Sequence, residues 1–286
     1  MKVFITGASD GQLYWELERS APETVQLLTL PDRLDITDRD AVMQAISSLD
    51  PDAIVNAAAY TAVDQAETDQ GKAKSLNVDA VEYLASAALA VNANLIHIST
   101  DFIFGVGDGS PFVEHAEVDP VSVYGKTKLA GEQILTEKMP DSSLVIRTAW
   151  VYSSNGNNFV KTMLRLMNER DQVGVIADQI GSPTWAHSLA QAIWRAVEIK
   201  LTGTIHWTGA GVASWYDFAV AIQEEGTALG LIDSHAQVSP LTTEQYPTPA
   251  ARPHYSVLEL TRSWGLLDKQ AHHWREDLRT MLKELL

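Results

Sequence analysis

The sequence predicts an α/β protein built on a doubly wound parallel sheet, with a smaller C-terminal lobe. Short apolar, β-branched segments alternate with helical patterns through residue 150, the order expected of parallel strands joined by crossover helices. The first strand, Val3 to Thr6, runs straight into the glycine-bearing turn Gly7-Ala8-Ser9-Asp10-Gly11 and a helix beginning near Gln12. Beyond Trp150 the alternation loosens into amphipathic helices and long loops. At 286 residues and 45% hydrophobic content the chain can bury a large core and is long for one domain. One large domain over 1–150, completed by later segments, is expected beside a lobe made mainly of 151–286, with a cleft between them.

The formal charge of -16 is spread along the chain and argues against nucleic acid, whose phosphates it would repel. A small anionic ligand would need local basic residues. There is no cysteine, which excludes disulfides, thiolate nucleophiles and zinc-thiolate sites and suits a reducing cytoplasm. Met1-Lys2 leads directly into the first strand, and nowhere do about eighteen apolar residues run together, so neither export nor membrane spanning is expected. No internal repeat or low-complexity tract is present.

The N-terminal strand, turn and helix read equally as an ordinary strand-helix turn or as a Rossmann-like opening, in which backbone N–H groups and a helix N-terminus face a pyrophosphate and the glycines permit close approach. The fingerprint is imperfect, because Tyr14 holds the place of a third glycine. A second strand is expected at Val25 to Leu30. No acid follows Thr29 to take ribose hydroxyls; Arg33 reads as a solvated loop charge or as a partner for a 2′-phosphate. Asp35-Ile36-Thr37-Asp38 caps a helix over Ala41 to Leu49. Ala53 to Ala59 is a third strand ending in small residues, Leu76 to Val91 an alanine-rich helix, Leu95 to Thr100 a fourth strand and Leu144 to Trp150 a fifth. His97, in mid-strand, reads as a satisfied core histidine. Asn155 to Phe159 opens a helix over Val160 to Asn168. Gly181 to Trp185 and Pro247 to Pro253 read as loops of the kind that carry ligand contacts. Trp274, Leu278, Met281, Leu282 and Leu285 repeat at helical spacing as a packing face.

In Val123-Tyr124-Gly125-Lys126-Thr127-Lys128-Leu129-Ala130-Gly131-Glu132 a phenol and an ammonium stand four apart on one helical face. A nearby ammonium draws a phenol down from a pKa of about 10 and equips it to protonate a carbonyl oxygen as a hydride arrives. Alone, the spacing reads equally as a solvated helix face. Gly125-Lys126-Thr127 is not a phosphate-binding P-loop, since Pro120 stands where that motif needs glycine.

The N-terminal glycine turn, Ser99-Thr100-Asp101, Tyr124-x-x-x-Lys128 and the strand after Arg147 together resemble the extended short-chain dehydrogenase/reductase superfamily. Val55-Asn56-Ala57-Ala58-Ala59-Tyr60-Thr61-Ala62-Val63-Asp64, Ser99 to Phe104, Val123 to Glu132, Arg147 to Tyr152, Gly156-Asn157-Asn158-Phe159 and Ala251-Arg252-Pro253 further resemble the dTDP-4-dehydrorhamnose reductase family. The resemblance implies an NAD(P)-binding domain over 1–150 and NADPH- or NADH-dependent reduction of the C4 ketone of dTDP-4-dehydro-L-rhamnose to dTDP-L-rhamnose, a nucleotide sugar for cell-surface polysaccharide. Tyr124 would donate the proton, Lys128 would lower its pKa and hold the nicotinamide ribose, and Thr100 would bond the same oxygen. Asp101 would touch sugar hydroxyls and Trp150 would shape the pocket. Gly11, Gln12, Leu13, Asp35, Ile36, Ala59, Tyr60, Thr61 and Ile98 would line the dinucleotide, with Gly7 opening its turn. Arg252 is a candidate for the diphosphate on the strength of its guanidinium fork, or half of a structural ion pair.

Two departures stand out: the glycine turn is one residue longer than the family's usual form, and Tyr14 replaces its third glycine, which could shift the first helix and weaken cofactor binding. Family members have been linked to magnesium at a dimer contact through acids matching Glu16 and Glu284, which extends the expectation to a homodimer. Two exposed glutamates are the ordinary reading of that pair, since hard cations need several oxygens. Alternative functions are another nucleotide-sugar epimerase, dehydratase or reductase of the superfamily, or a non-catalytic cofactor-binding regulatory subunit.

Overall fold

The structure is a computed structural model and describes residues 1–233 and 236–286. Among them, β1 (Lys2–Thr6), β2 (Gln26–Leu28), β3 (Ala53–Asn56), β4 (Asn94–Thr100), β5 (Ser143–Thr148) and the strand Gly203–His206 form one parallel sheet. Its order is Gly203–His206, β5, β4, β3, β1, β2. The chain steps outward from β1 to β2, then crosses back over β1 to β3, so a crevice opens between the ends of β1 and β3. Gly203–His206 lies far beyond residue 150 and adds the outer strand beside β5.

Side-chain alternation along the strands divides the sheet into two cores. Val3, Ile5, Val55, Ile96 and Ile146 face one side, with Leu17 of the helix Gln12–Arg19 and Leu189, Ile193 and Val197 of the helix Ala186–Glu198. Phe4, Ile54, Leu95 and Val145 face the other, under the helices Arg39–Leu49, Ala80–Ala90 and Val123–Lys138. A third core gathers Val160, Met163 and Met167, Phe218 and Ile222, and Leu278, Met281 and Leu282, from the helices Phe159–Glu169, Trp215–Ala228 and Trp274–Lys283. The C-terminal helical repeat is therefore a packing face.

Three local expectations are refined. The second strand is shorter than the span Val25 to Leu30, having a sheet neighbour on one side only. The alanine-rich helix begins earlier, at Gln70–Lys74, and passes through a π-helical turn, Ser75–Asp79, before Ala80–Ala90. The stretch from Gly181 to Trp185 holds the ends of two short strands, Ile180–Gly181 and Thr184–Trp185.

The helix Val123–Lys138 is capped by Ser122, whose Oγ accepts from the Gly125 N–H at 3.1 Å. It packs unusually close to its surroundings. A Cβ on Gly125 would overlap the Phe102 carbonyl, and one on Gly131 the Asn77 carbonyl. At its middle, Glu132 takes Arg147 of β5 in a buried ion pair, with Nη2 to Oε2 at 2.7 Å and side chains 8% and 5% exposed. Arg147 Nη1 also donates to the Glu114 carbonyl at 2.8 Å.

Glu132→Gln would leave the Arg147 charge buried against a neutral amide. A loss of about 3 kcal/mol or more in unfolding free energy is expected from urea titration. A loss below about 1 kcal/mol would show the charge to be well solvated without Glu132.

Candidate active site

The parallel sheet ends its strands on one edge, and the expected site residues gather there. Thr100 closes β4 and caps the 3-10 turn Asp101–Ile103, its Oγ1 accepting from the Phe102 N–H at 3.2 Å. That hydroxyl also donates to Asp101 Oδ1 at 3.0 Å and stands beside the phenol of Tyr124. Asp101 is 2% exposed, and its Oδ2 makes no hydrogen bond of good geometry among the described residues, the Ser256 hydroxyl standing near the carboxyl without closing on it. Burial pushes its carboxyl up to about 6, against the pull of the Ser256 and Thr100 hydroxyls.

Tyr124 lies on the first turn of its helix, edge-on to Phe102 with ring centroids 5.6 Å apart. Its pKa is pushed up to about 12, by burial first and by the Asp101 charge, with the Thr100 hydroxyl acting in the opposite direction. This corrects the expected lowering by Lys128. The reason is where Lys128 points: its Nζ donates to the Ile98 carbonyl at 2.6 Å and meets His97 Nε2 at 3.2 Å. Lys128 is 1% exposed, and burial draws it down to about 8, with the Glu132 charge opposing.

Two adjoining hollows, of about 560 and 470 Å³, run along the ends of β1 and β2 and share Gly7, Arg33 and Leu34. Gly7 has φ +122°, a backbone region that side chains other than glycine's rarely adopt, and a Cβ there would sit 3.5 Å from the Ala57 backbone. Gly11 is the N-cap of the first helix and supplies no side-chain cap, leaving first-turn N–H groups free to meet an anion. This cradle fits a dinucleotide phosphate. Gln12 is pinned by Asn158, whose Nδ2 donates to its Oε1 at 3.0 Å. Leu13 packs into the core beside the sheet. Asp35 lines the second hollow and accepts from Thr37 N and Oγ1 at 2.9 and 2.7 Å, which holds its carboxyl below the usual range. Ile36, though on that rim, is 4% exposed. Ala59, Tyr60 and Thr61 follow β3, and Asn77 grips Tyr60 through its N–H and its carbonyl at 2.9 and 3.2 Å. Tyr14 lines the larger hollow, while Leu17 carries the packing of its helix. Thr29 to Arg33 line the same hollow, with Arg33 exposed.

Arg252 resolves in favour of its structural alternative. Nη1 and Nη2 close on Asp64 Oδ1 and Oδ2 at 2.9 and 2.7 Å, so the fork expected for a diphosphate ties the Pro247 to Pro253 loop to the exit from β3. The magnesium pair does not fit a metal. Glu16 is buried, contrary to the exposed position expected, and accepts from Arg19 at 2.6 Å and Ser153 at 2.8 Å, with His187 Nδ1 at 3.1 Å. Arg19 also reaches Glu284 at 2.8 Å. An internal guanidinium bridges the two carboxylates, and among the described residues no group of three or more His, Asp or Glu could hold a metal.

Trp150, expected at the pocket, has φ +48°, uncommon for a bulky side chain, and the residues that brace it went unread in the sequence. Its ring stacks on Trp215 at 3.6 Å, Trp215 meets Phe159 at 4.7 Å, and Gly181 leaves room against Trp150, where a Cβ would come to 2.7 Å. The glycine before Ser182 was the only available signal, and it lay in a stretch singled out as a loop. Ser256 carried no signal at all.

The family profile described as RmlD substrate binding domain matches residues 1–286. A dTDP-4-dehydrorhamnose reductase of Aggregatibacter actinomycetemcomitans is 40% identical over 289 residues, covering 98% of each chain. A crystal structure of such a reductase from Clostridium acetobutylicum superposes with a TM-score of 0.92 at 39% identity, covering 100% of this chain and 99% of that one. Another, from Bacillus anthracis in complex with NADP, gives 0.90 at 34% identity and 99% coverage of both.

Gly7→Ala is expected to lose about 1–3 kcal/mol of stability from the forced positive φ. It should also weaken binding of a reduced nicotinamide dinucleotide in a fluorescence titration. Unchanged affinity would remove the turn from the site.

Proposed function

Because the chain belongs to the RmlD substrate binding domain family, we propose that it is an NADPH-dependent oxidoreductase that reduces the C4 ketone of dTDP-4-dehydro-L-rhamnose to dTDP-L-rhamnose. The observation that carries this reading is the meeting of Thr100, Asp101, Tyr124 and Lys128 at one sheet edge, beside a glycine turn with free helix N–H groups. The full-length relatives are named for this reaction, and NADP is the cofactor of the Bacillus anthracis structure.

Gly7, Gly11, Gln12 and the loop Ala59-Tyr60-Thr61 would hold the dinucleotide, with Arg33 at the rim beside a 2′-phosphate. Leu13, Ile36 and Ile98 contribute through backbone and shape. Bound there, the cofactor supplies the hydride for C4. Tyr124 gives its phenolic proton to the oxygen that gains charge. Burial keeps that proton in place over the working pH range, and an alkoxide is a stronger base than a phenolate with a pKa of about 12, so transfer runs downhill. Thr100, turning its one hydroxyl proton from Asp101, would donate to the same oxygen. Lys128, drawn to about 8, holds its Nζ on the Ile98 carbonyl and His97, and would return a proton to Tyr124 by turning from them. The unpartnered Oδ2 of Asp101 suits a sugar hydroxyl, and Trp150, braced by Trp215, forms the pocket wall. Arg252 would reach a diphosphate only by exchanging Asp64 for it.

Residues 1–150 form the NAD(P)-binding domain in this reading, completed by Gly203–His206, and 151–286 contribute mainly the substrate lobe. A cytoplasmic location and a homodimer belong to the same family reading. No helix of the described residues is long and apolar enough to cross a membrane.

With NADPH and dTDP-4-dehydro-L-rhamnose, loss of reduced-nicotinamide absorbance is expected; no turnover with NADPH or NADH would defeat the reading. Tyr124→Phe is expected to lower kcat by about 10²-fold or more, as loss of a general acid does. A near-normal rate would remove Tyr124 from proton transfer.

A further inference from the structure

Three strand positions in register across the main sheet, Thr6, Asn56 and His97, form a buried row of hydrogen-bonding side chains that ends on Lys128. Parallel pairing sets Thr6 opposite Asn56 and Asn56 opposite His97, so their side chains leave the same face of the sheet. They are 2%, 1% and 1% exposed, so their polar atoms must find partners within the protein.

One fixed donor gives the direction of the row. The Ala58 backbone N–H can only donate, and it faces Asn56 Oδ1 at 3.3 Å; the Thr6 hydroxyl meets the same oxygen at 2.7 Å. Asn56 Nδ2 is thereby turned to His97 Nδ1, 3.0 Å away. An amide NH₂ donates, so Nδ1 keeps its lone pair and the imidazole proton sits on Nε2. Nε2 faces Lys128 Nζ at 3.2 Å. A neutral amine can accept that N–H, whereas an ammonium, with three N–H groups and no lone pair, cannot.

We propose that Asn56 and His97 are positioning residues for Lys128. By fixing the Nε2–H tautomer of His97, they bias Lys128 toward the neutral amine, and the lysine exchanges a proton in the working range instead of remaining a fixed cation. Burial acts in the same direction on Lys128 and keeps His97 neutral, well below its ordinary range. Glu132, on the same helix, opposes by favouring the charged lysine and is itself held by Arg147 of β5. Tyr124 also shares that helix. From β4, His97 faces Lys128, while Asp101 at the strand end acts on Tyr124. The Ile98 carbonyl accepts from Lys128 in either state.

The proposal rests on the acid–base role given to Lys128 above, but its first test needs no turnover. In protein carrying nitrogen-labelled histidine, long-range proton–nitrogen NMR correlations report each tautomer, and the His97 signals are those lost in His97→Gln. On the alkaline side of the Lys128 titration, His97 is expected as Nε2–H in the unmodified chain. It is expected as Nδ1–H in Asn56→Asp, whose carboxylate can only accept. An Nδ1–H tautomer in the unmodified chain overturns the proposal whether or not the variant folds, and so does a folded Asn56→Asp that keeps Nε2–H.

In turnover, the charged lysine is the form that returns the proton. Activity is therefore held below the Lys128 pKa and lost as pH rises through it. His97→Gln, which offers an amide oxygen to the ammonium without new charge, is expected to move that basic limb of kcat up by about one pH unit or more. An unmoved limb overturns the link to Lys128. Failure of the unmodified protein to turn over would instead defeat the reductase reading and leave the tautomer result standing.

Discussion

Lys128 carries its Nζ between the helix Val123–Lys138 and β4, beyond the reach of water, where the Ile98 carbonyl accepts at 2.6 Å. A lysine is rarely buried unless its donors are met. Meeting them sets the distance of this helix from the sheet, and the bare Gly125 and Gly131 allow that distance to be short. Tyr124, one turn earlier, then arrives over the end of β4, beside Thr100. The placing of Tyr124 thus depends on a hydrogen bond that Tyr124 does not itself make.

Polar pins join distant segments of the chain around this centre. Asn158 and Asn155, which follow the main sheet's fifth strand in the chain, bind Gln12 and the Asp10 carbonyl of the glycine turn at 3.0 and 3.1 Å. Arg252 locks the Pro247 to Pro253 loop to Asp64. Arg19 joins Glu16 on the first helix to Glu284 near the C-terminus. The resemblance blocks ending in Asp64 and beginning at Ala251 thus meet in one ion pair.

The alternation of strands and helices was legible because period-two and period-3.6 apolar patterns survive in short windows. The Tyr124–Lys128 spacing was legible for the same reason, as a local helical relation. What depends on register was not. His97 read as an ordinary core histidine because its partners lie 41 and 31 residues away and meet it only after the strands pair. Arg252 stood open between an anion fork and an ion pair because its partner, Asp64, is 188 residues distant. Burial of Glu16 and the positive φ of Trp150 leave no trace in composition or periodicity. The direction of the Tyr124 shift failed for a related reason: spacing places an ammonium on the same helical face but does not say where its Nζ points.

One sheet edge brings the glycine turn, Tyr124 and the buried Lys128 together. The most direct measurement is a crystal structure of this protein soaked with NADPH. The account predicts a dinucleotide running from Arg33 across the Gly7 turn to Lys128, with its nicotinamide against Tyr124. A dinucleotide bound away from that edge, or none at the Gly7 turn under saturating NADPH, would contradict it.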